Sequence, residues 1–367
     1  MKIIPETAAR AARPVRVDGP GKGAPRERVF DLLRTFGLFS ILLAHVDPPV
    51  WLWLLRDFDV PLLVLVSGAV CQLGYRGRPI VYGSYIRKRV LRLLVPVYVF
   101  LVGYFLVAET FAPARFDADV IGRTFLLLNG MGYVWIIRVF LLVALVTPFL
   151  LRLRQRVRPI PYFLILLGGY LAHEGLWALF SRGGEFSGWE GIKFSVFYAL
   201  PYGCLFGLGL RWPGMSRRAA FAWAAAGLGL ATLMLVALRA WPDPSVAAAL
   251  KYPPRLAYFW YGLGMSHLLY GICLHGPRMA PRIENLIAWI SASSLWIYLW
   301  HIPGLQVARK IISRIDLGDT SFAGMWVLTA AFAMGATLFQ QRVVGAVVRR
   351  GRWAERTRRV LEMAFLN

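Results

Sequence analysis

Along the chain, ten stretches of mainly apolar residues alternate with shorter polar segments. Each is close to the ~20 residues that cross a bilayer as an α-helix. They cover about 30–48, 59–75, 92–111, 130–150, 160–179, 194–211, 219–239, 256–274, 286–305 and 322–341. The second is short enough to be tilted or enclosed by its neighbours, and the fifth is interrupted by polar residues. The pattern predicts an all-α, polytopic membrane protein with about ten transmembrane helices. It divides the chain into a basic N-terminal tail (1–29), a membrane domain (30–341) and a basic C-terminal tail (342–367). The connecting segments are short, so any activity is expected inside the helix bundle.

Composition agrees with this reading: 58% of residues are hydrophobic and only 17% are charged, against about 25% charged in a soluble domain. The formal net charge of +23 would suggest nucleic acid in a soluble protein. Here the basic residues follow topology instead. With the N-terminus placed inside, 29 of the 42 Lys and Arg fall on inside segments and 11 on outside ones. Arg34 and Arg138 fall within spans. That asymmetry follows the positive-inside rule and predicts two cytoplasmic termini. Residues 346–365 mix Arg with Val, Leu, Trp and Phe, as in a basic helix lying on an anionic leaflet. Membrane lipid is therefore an expected partner and nucleic acid is not.

Other classes lose ground on motifs. Cys71, Cys204 and Cys273 lie in apolar runs without metal-ligand spacing and are read as small buried side chains, and no metal is expected. Residues 1–29 lack the apolar core of a signal peptide, so the first span is expected to be retained. No Walker A, HExxH or GxSxG motif is found.

The first span, VFDLLRTFGLFSILLAHV, carries Asp31, Arg34 and His45. Ionisable residues within a span are costly and usually face a bundle interior or a wet cavity. At ~100° and ~1.5 Å per residue, Arg34 and His45 lie about 20° apart around the helix and ~16 Å apart along it, with Asp31 on the same face. Asp31 and Arg34 can simply pair near the interface. His45, deep in an apolar run, is either a satisfied core histidine or a general base in a polar cavity. The ninth span shows a comparable stripe of Ser291, Ser294, Tyr298 and His301. It reads either as an interhelical hydrogen-bond seam or as the opposite wall of one cavity, with the two histidines at similar depth.

These residues carry a resemblance. Asp31-Leu-Leu-Arg34 followed after ten residues by His45 resembles the first motif of the membrane acyltransferase family 3. Pro61, Ser67 and Gly68 match that family's second-span segment, with its aromatic pair replaced by Leu and Val. Arg89-Val-Leu-Arg92 followed by Pro96 resembles its RxxR motif. Gly132-Tyr-Val-Trp135 and Ser294-Leu-Trp-Ile-Tyr298-Leu-Trp-His301 resemble two later segments, with Leu295 where the family usually has Tyr. The ordered matches run from residue 27 to about 304.

The resemblance implies a multi-pass O-acyltransferase of the bacterial cytoplasmic (inner) membrane, with cytoplasmic acyl-CoA, above all acetyl-CoA, as co-substrate. The acceptor would be a hydroxyl of a glycan or lipid-linked sugar. His45, with Asp31 and His301, is the expected catalytic set, and an acyl-histidine intermediate is the alternative to general-base catalysis. Arg34, Arg89 and Arg92 are expected to hold the phosphates of the donor, although inside-loop topology also asks for positive charge there. Ser67, Trp135, Ser294 and Tyr298 are expected to contact substrate, and Lys251 and Arg255, on the outer side, to meet the acceptor glycan or a lipid phosphate. Arg138 is expected to snorkel outward, and His173 and His267 to be structural or cavity-lining without a role. The rival is a transporter or flippase for a glycan or lipid-linked precursor. The first motif has no partner in residues 190–367, so the internal repeat common in transporters is not seen.

Overall fold

The structure, a computed structural model, describes residues 25–75, 80–128, 130–182, 190–238, 244–276, 279–315, 321–351 and 353–366. Most of the expected N-terminal tail, with Arg76, Arg78, Arg278 and Arg352, lies outside the described residues.

Among the described residues all regular structure is helical. The helices are α1 (Pro25–Ala44), α2 (Val50–Leu55), α3 (Asp59–Gly74), α4 (Tyr82–Phe111), α5 (Ala118–Phe125), α6 (Trp135–Arg156), α7 (Pro159–Arg182) and α8 (Glu190–Gly209). They continue as α9 (Arg217–Ala237), α10 (Pro244–Lys251), α11 (Leu256–Cys273), α12 (Pro281–Ala292), α13 (Ser294–Ile312), α14 (Ser321–Arg350) and α15 (Glu355–Phe365). Each expected apolar stretch contains a helix. Five of these, α4, α6, α7, α9 and α14, are long and apolar enough to cross a membrane on their own, and the α12–α13 pair makes a sixth if taken as one broken span. In α4, α7, α9 and α14 only 17–28% of the apolar window is buried within the protein. Apolar faces of that extent, left uncovered by the chain, suit contact with lipid rather than water.

Several boundaries depart from the sequence reading. The third stretch begins ten residues earlier than expected, at Tyr82, so Arg87, Lys88, Arg89 and Arg92 lie on α4 and not in a loop. The ninth stretch is not one helix: it breaks at Ser293, and α12 and α13 are bent by 79°. The α12 half carries Arg282, Glu284 and Asn285 and is largely exposed, so it cannot continue through an apolar medium. The Ser293 hydroxyl accepts from Gln341 Nε2 at 3.0 Å, and Trp289 Nε1 donates to Gln341 Oε1 at 2.9 Å. One glutamine of α14 thereby holds the corner. The stripe expected on one helix is accordingly split, with Ser291 ending α12 and Ser294, Tyr298 and His301 on α13. The last stretch is longer than expected, because α14 continues to Arg350 with Arg349 and Arg350 in its final turn. Those cations favour a helix C-terminus and can reach past an apolar surface.

At the centre lies α3, with Leu62, Val64, Leu65, Val66 and Ala69 fully buried. It packs on α1, α8, α11 and α6. Its approach to α8 is a backbone contact. A Cβ on Gly68 would fall 2.3 Å from the Phe206 carbonyl oxygen, and one on Gly209 would fall 2.1 Å from that of Leu65. Gly227 and Gly264 make the same kind of crossing between α9 and α11, with a built Cβ 2.7 Å from the facing backbone on either side. In a membrane bundle, where lipid competes for apolar contact, such small-residue crossings are a main source of helix adhesion.

The contrast between glycines at a crossing and a glycine away from one is testable. Gly264→Leu and Gly209→Leu would force backbone apart, an overpacking that costs about 1–3 kcal/mol or more. Both should sharply lower the monodisperse fraction after detergent extraction. Gly229→Leu, whose Cβ would meet nothing within 4 Å, should behave as the parent chain in size-exclusion chromatography. Equal behaviour of Gly229→Leu and Gly264→Leu would remove the crossing from the account.

Candidate active site

A cavity of about 320 Å³ runs between α1, α3, α4, α6 and α13. The face of α1 that lines it carries Arg34, Leu38 and Ile41, the i, i+4, i+7 spacing of one helical stripe; His45, expected within the helix, lies in the turn just past its end, its N–H on the Leu42 carbonyl at 3.2 Å. One end of the cavity is polar, with Arg34, Ser67, Tyr85, Arg89, Arg92, Thr147, Ser291 and Ser294. The rest is mostly apolar and closes against Ile41, Ile136 and Tyr298.

At the polar end the serine of α12 joins what the sequence paired directly. Ser291 Oγ donates to Asp31 Oδ1 at 2.6 Å, and Arg34 Nη1 donates to Ser291 Oγ at 3.3 Å. Arg89 lies over the Tyr85 ring at 5.5 Å. Arg92 is exposed at the mouth. Among the described residues no carboxylate lies within ion-pair distance of Arg34, Arg89 or Arg92. The mouth is therefore built to receive negative charge. Asp31, expected with the catalytic set, stands at this end, 14 residues or ~21 Å along α1 from His45. Its contacts there hold Ser291 and, through it, Arg34. Ser67 donates to the Leu63 carbonyl of its own helix at 2.7 Å and lines the cavity, as Ser294 does.

Beyond the apolar end stand the two histidines. The His45 and His301 rings are 5.1 Å apart, and Tyr133 lies 5.1 Å from the first and 5.6 Å from the second. The Tyr298 ring is 4.8 Å from His301, and its hydroxyl donates to the Tyr133 carbonyl. His301 is fully buried, and its Nδ1 meets the Tyr298 carbonyl. A carbonyl only accepts, so Nδ1 carries the proton and Nε2 keeps its lone pair. That Nε2 is buried and has no partner among the described residues. A bare buried acceptor beside a second imidazole is costly unless something donates to it, and a substrate hydroxyl would do so. Tyr133, in the segment between α5 and α6, was not singled out from the sequence. Thr124 holds that segment: its hydroxyl accepts from Met131 N at 3.0 Å and donates to the Val120 carbonyl at 2.7 Å. Leu127 there has φ 56° and Gly132 φ 79°.

A buried ion cluster supports the same end. Arg56 Nη1 reaches Asp59 Oδ2 at 2.6 Å and Nη2 lies 3.6 Å from Asp57 Oδ1, while Lys251 donates to Asp57. All four residues are at most 5% exposed. Asp59 also accepts from Val60 N at 2.7 Å, at the start of α3, where a carboxylate complements the helix dipole. Two carboxylates and two cations leave the cluster neutral, and Arg56, Asp59 and Lys251 are the charged groups acting on His45. The run Arg56-Asp57-Phe58-Asp59, leading into the mainly apolar α3, was the signal for it in the sequence.

The remaining expected site residues are placed as follows. Lys251 is inside that cluster, and Arg255 Nη2 is 2.8 Å from Glu174 Oε2, so both cations are already engaged. Trp135 meets Tyr198 and Tyr252 edge-on and does not line the cavity. Arg138, expected to snorkel outward, donates to Ser195 Oγ at 3.0 Å on the neighbouring α8. His267 accepts from Trp212 Nε1 at 2.9 Å, and His173 Nε2 lies 3.0 Å from the Pro254 carbonyl.

A family model described as an acyltransferase domain matches residues 28–339, which contain every residue of the cavity and of the histidine pair. No curated protein and no solved structure matches the chain.

The ion cluster yields a double-mutant test. Lys251→Met leaves Asp57 buried without its closest cation and should cost about 3–5 kcal/mol. Adding Asp57→Asn should recover most of that loss. Thermal unfolding in detergent, followed by fluorescence, measures both, and additive losses in the double variant would argue against a coupled pair.

Proposed function

This chain belongs to that acyltransferase family, and on this premise we propose that it moves an acyl group, acetyl in the first instance, from cytoplasmic acyl-CoA to a hydroxyl of a glycan or lipid-linked sugar. In this reading all ten apolar stretches lie in the membrane, of which α3 is enclosed by other helices. The Arg34 end faces the cytoplasm: among the described residues it gathers Arg87, Lys88, Arg89, Arg92, Arg152, Arg154, Arg156 and Arg158, as the positive-inside rule asks. A bacterial cytoplasmic membrane provides the two compartments this arrangement needs.

The observation that supports the reading most is one cavity with three arginines at its mouth and a histidine pair beyond its inner end. Phosphates of coenzyme A suit Arg34, Arg89 and Arg92, since guanidinium groups bind phosphate bidentately. A cavity of about 320 Å³ takes an extended thiol arm and a short acyl group, leaving the nucleotide at the mouth. The thioester carbonyl then lies toward Tyr298 and His45. His45 takes the proton of the acceptor hydroxyl as its oxygen attacks that carbonyl. Collapse of the tetrahedral intermediate breaks the C–S bond, and the imidazolium returns the proton to the departing thiolate. His301, with Nδ1 fixed on the Tyr298 carbonyl, offers Nε2 to a second, neighbouring hydroxyl of the acceptor and so orients the one that reacts.

Wild-type chain and His45→Ala should be expressed in a host lacking the activity, at matched membrane levels, and ester-linked acyl groups on envelope glycans measured by NMR. His45→Ala should lose about 10²-fold or more of the signal, and retained acylation would remove the base assignment. With purified protein, Arg89→Ala should raise KM for acetyl-CoA with a smaller change in kcat, the pattern of lost ground-state binding. An unchanged KM would place the donor elsewhere.

A further inference from the structure

The cations the sequence offered for the acceptor, Lys251 and Arg255, are taken up by Asp57 and Glu174. A different set converges beside the histidines. Asp47 follows His45 by two residues, with φ 52° and an exposed side chain. One and two turns or so past His301 on α13 come Gln306 and Arg309. Gln306 Nε2 donates to Tyr104 Oη at 2.5 Å, and Arg115 Nη1 donates to Gln306 Oε1 at 3.1 Å. Arg309 and Asp47 approach to 3.5 Å, with side chains 51% and 79% exposed. The Tyr133 hydroxyl lies within the field of Arg309, Tyr104, Asp47 and Arg115 together, and its ring touches both histidines. Four separate chain segments thus bring polar groups to the rim of the histidine pair, at the end away from the donor mouth.

Two guanidinium groups, of Arg115 and Arg309, stand at this rim, with Asp47 and, next to Arg115, Glu109 as the carboxylates. A long, exposed ion pair such as Arg309–Asp47 contributes ~0–1 kcal/mol and opens readily. Arg115 is held by a neutral amide, with no carboxylate within ion-pair distance among the described residues. A guanidinium fixed by one side-chain amide keeps its other donors for a planar anion.

We propose that Arg115, Gln306 and Arg309 form the acceptor subsite and select a sugar that carries a carboxylate or phosphate beside the hydroxyl to be acylated. The proposal rests on the acyl-transfer reading for its meaning, but not for its test. The anion, held between Arg115 and Arg309, sets the acceptor over Tyr133, and Gln306 and Asp47 meet its other hydroxyls. The hydroxyl next to the anion then falls toward His301 Nε2 and His45.

Binding without any acyl donor tests this. Full-length protein in phosphatidylcholine nanodiscs is titrated calorimetrically with trigalacturonate against maltotriose, and with glucose 1-phosphate against glucose. At least one anionic probe should bind more tightly than its neutral partner. The Arg115→Gln/Arg309→Gln variant should weaken that probe roughly ten- to hundred-fold, as loss of charge-assisted hydrogen bonds entails, and leave the neutral sugars unchanged. Lys310→Gln, an exposed neighbour on the same helix, should change nothing. A preference for the uronate supports a polysaccharide acceptor, and a preference for the phosphate supports a phosphate-linked sugar. Equal binding of charged and neutral probes, an unaffected double variant, or an equal loss in Lys310→Gln would overturn the proposal. Failure of acyl transfer with these bindings intact would instead count against the reading of the reaction.

Discussion

A charge placed among apolar helices must be met by another group of the same bundle, and that constraint organises this molecule around α1. Its cavity side carries Arg34, Leu38 and Ile41, with Asp31 beside the polar end and His45 in the turn that follows the helix. Each ionisable group is met from elsewhere in the chain: Asp31 and Arg34 by Ser291 at the corner between α12 and α13, and His45 by His301, Tyr133 and the cluster of Arg56, Asp57, Asp59 and Lys251. Between these two polar ends α1 presents Leu38 and Ile41, and the cavity there is apolar. The break at Ser293 follows from the same demand. It turns Ser291 toward α1 while α13 carries Tyr298 and His301 onward.

The division of the cavity suits a donor with two unlike ends. Multiple negative charges can be held at the arginine mouth, near solvent, where desolvation costs least. The reacting group passes through an apolar stretch into a region where water is sparse and each hydrogen bond counts for more. Tyr298 stands at that boundary, lining the cavity on one side and touching His301 on the other, its hydroxyl tied to the Tyr133 carbonyl. Binding energy gathered at the mouth can thus position a group some 16 Å away along α1.

Much of this was legible in the sequence because membrane spans impose a coarse and demanding pattern. The stripe from Arg34 to His45 needed only helical geometry; matched depth left open whether His45 and His301 meet, and it is the packing that brings their rings to 5.1 Å. Other features were hidden for physical reasons. The corner at Ser293 depends on Gln341, 48 residues later, and a run of Ser, Ala and Ile carries no breaking signal of its own. Lys251 and Arg255 looked available because their partners, Asp57 and Glu174, are 194 and 81 residues away. Glycines within apolar runs gave no hint of which were crossings: Gly227 faces the backbone of α11, while Gly229 two residues on faces nothing. Tyr133 was passed over beside the more conspicuous Trp135. Its importance lies in what surrounds it, which only the packing of α1, α4 and α13 reveals.

The central claim is that donor phosphates sit at the arginine end of the cavity and the reacting carbonyl reaches the histidine pair beyond its other end. Cryo-electron microscopy of the full-length chain with S-acetonyl-coenzyme A, in which a methylene ketone replaces the thioester, tests it most directly. The account predicts phosphates against Arg89 and Arg92, the thiol arm along Leu38 and Ile41, and the ketone carbon between Tyr298 and His45. An analogue bound elsewhere, or one whose ketone stays at the arginine mouth with His45 untouched, would contradict it.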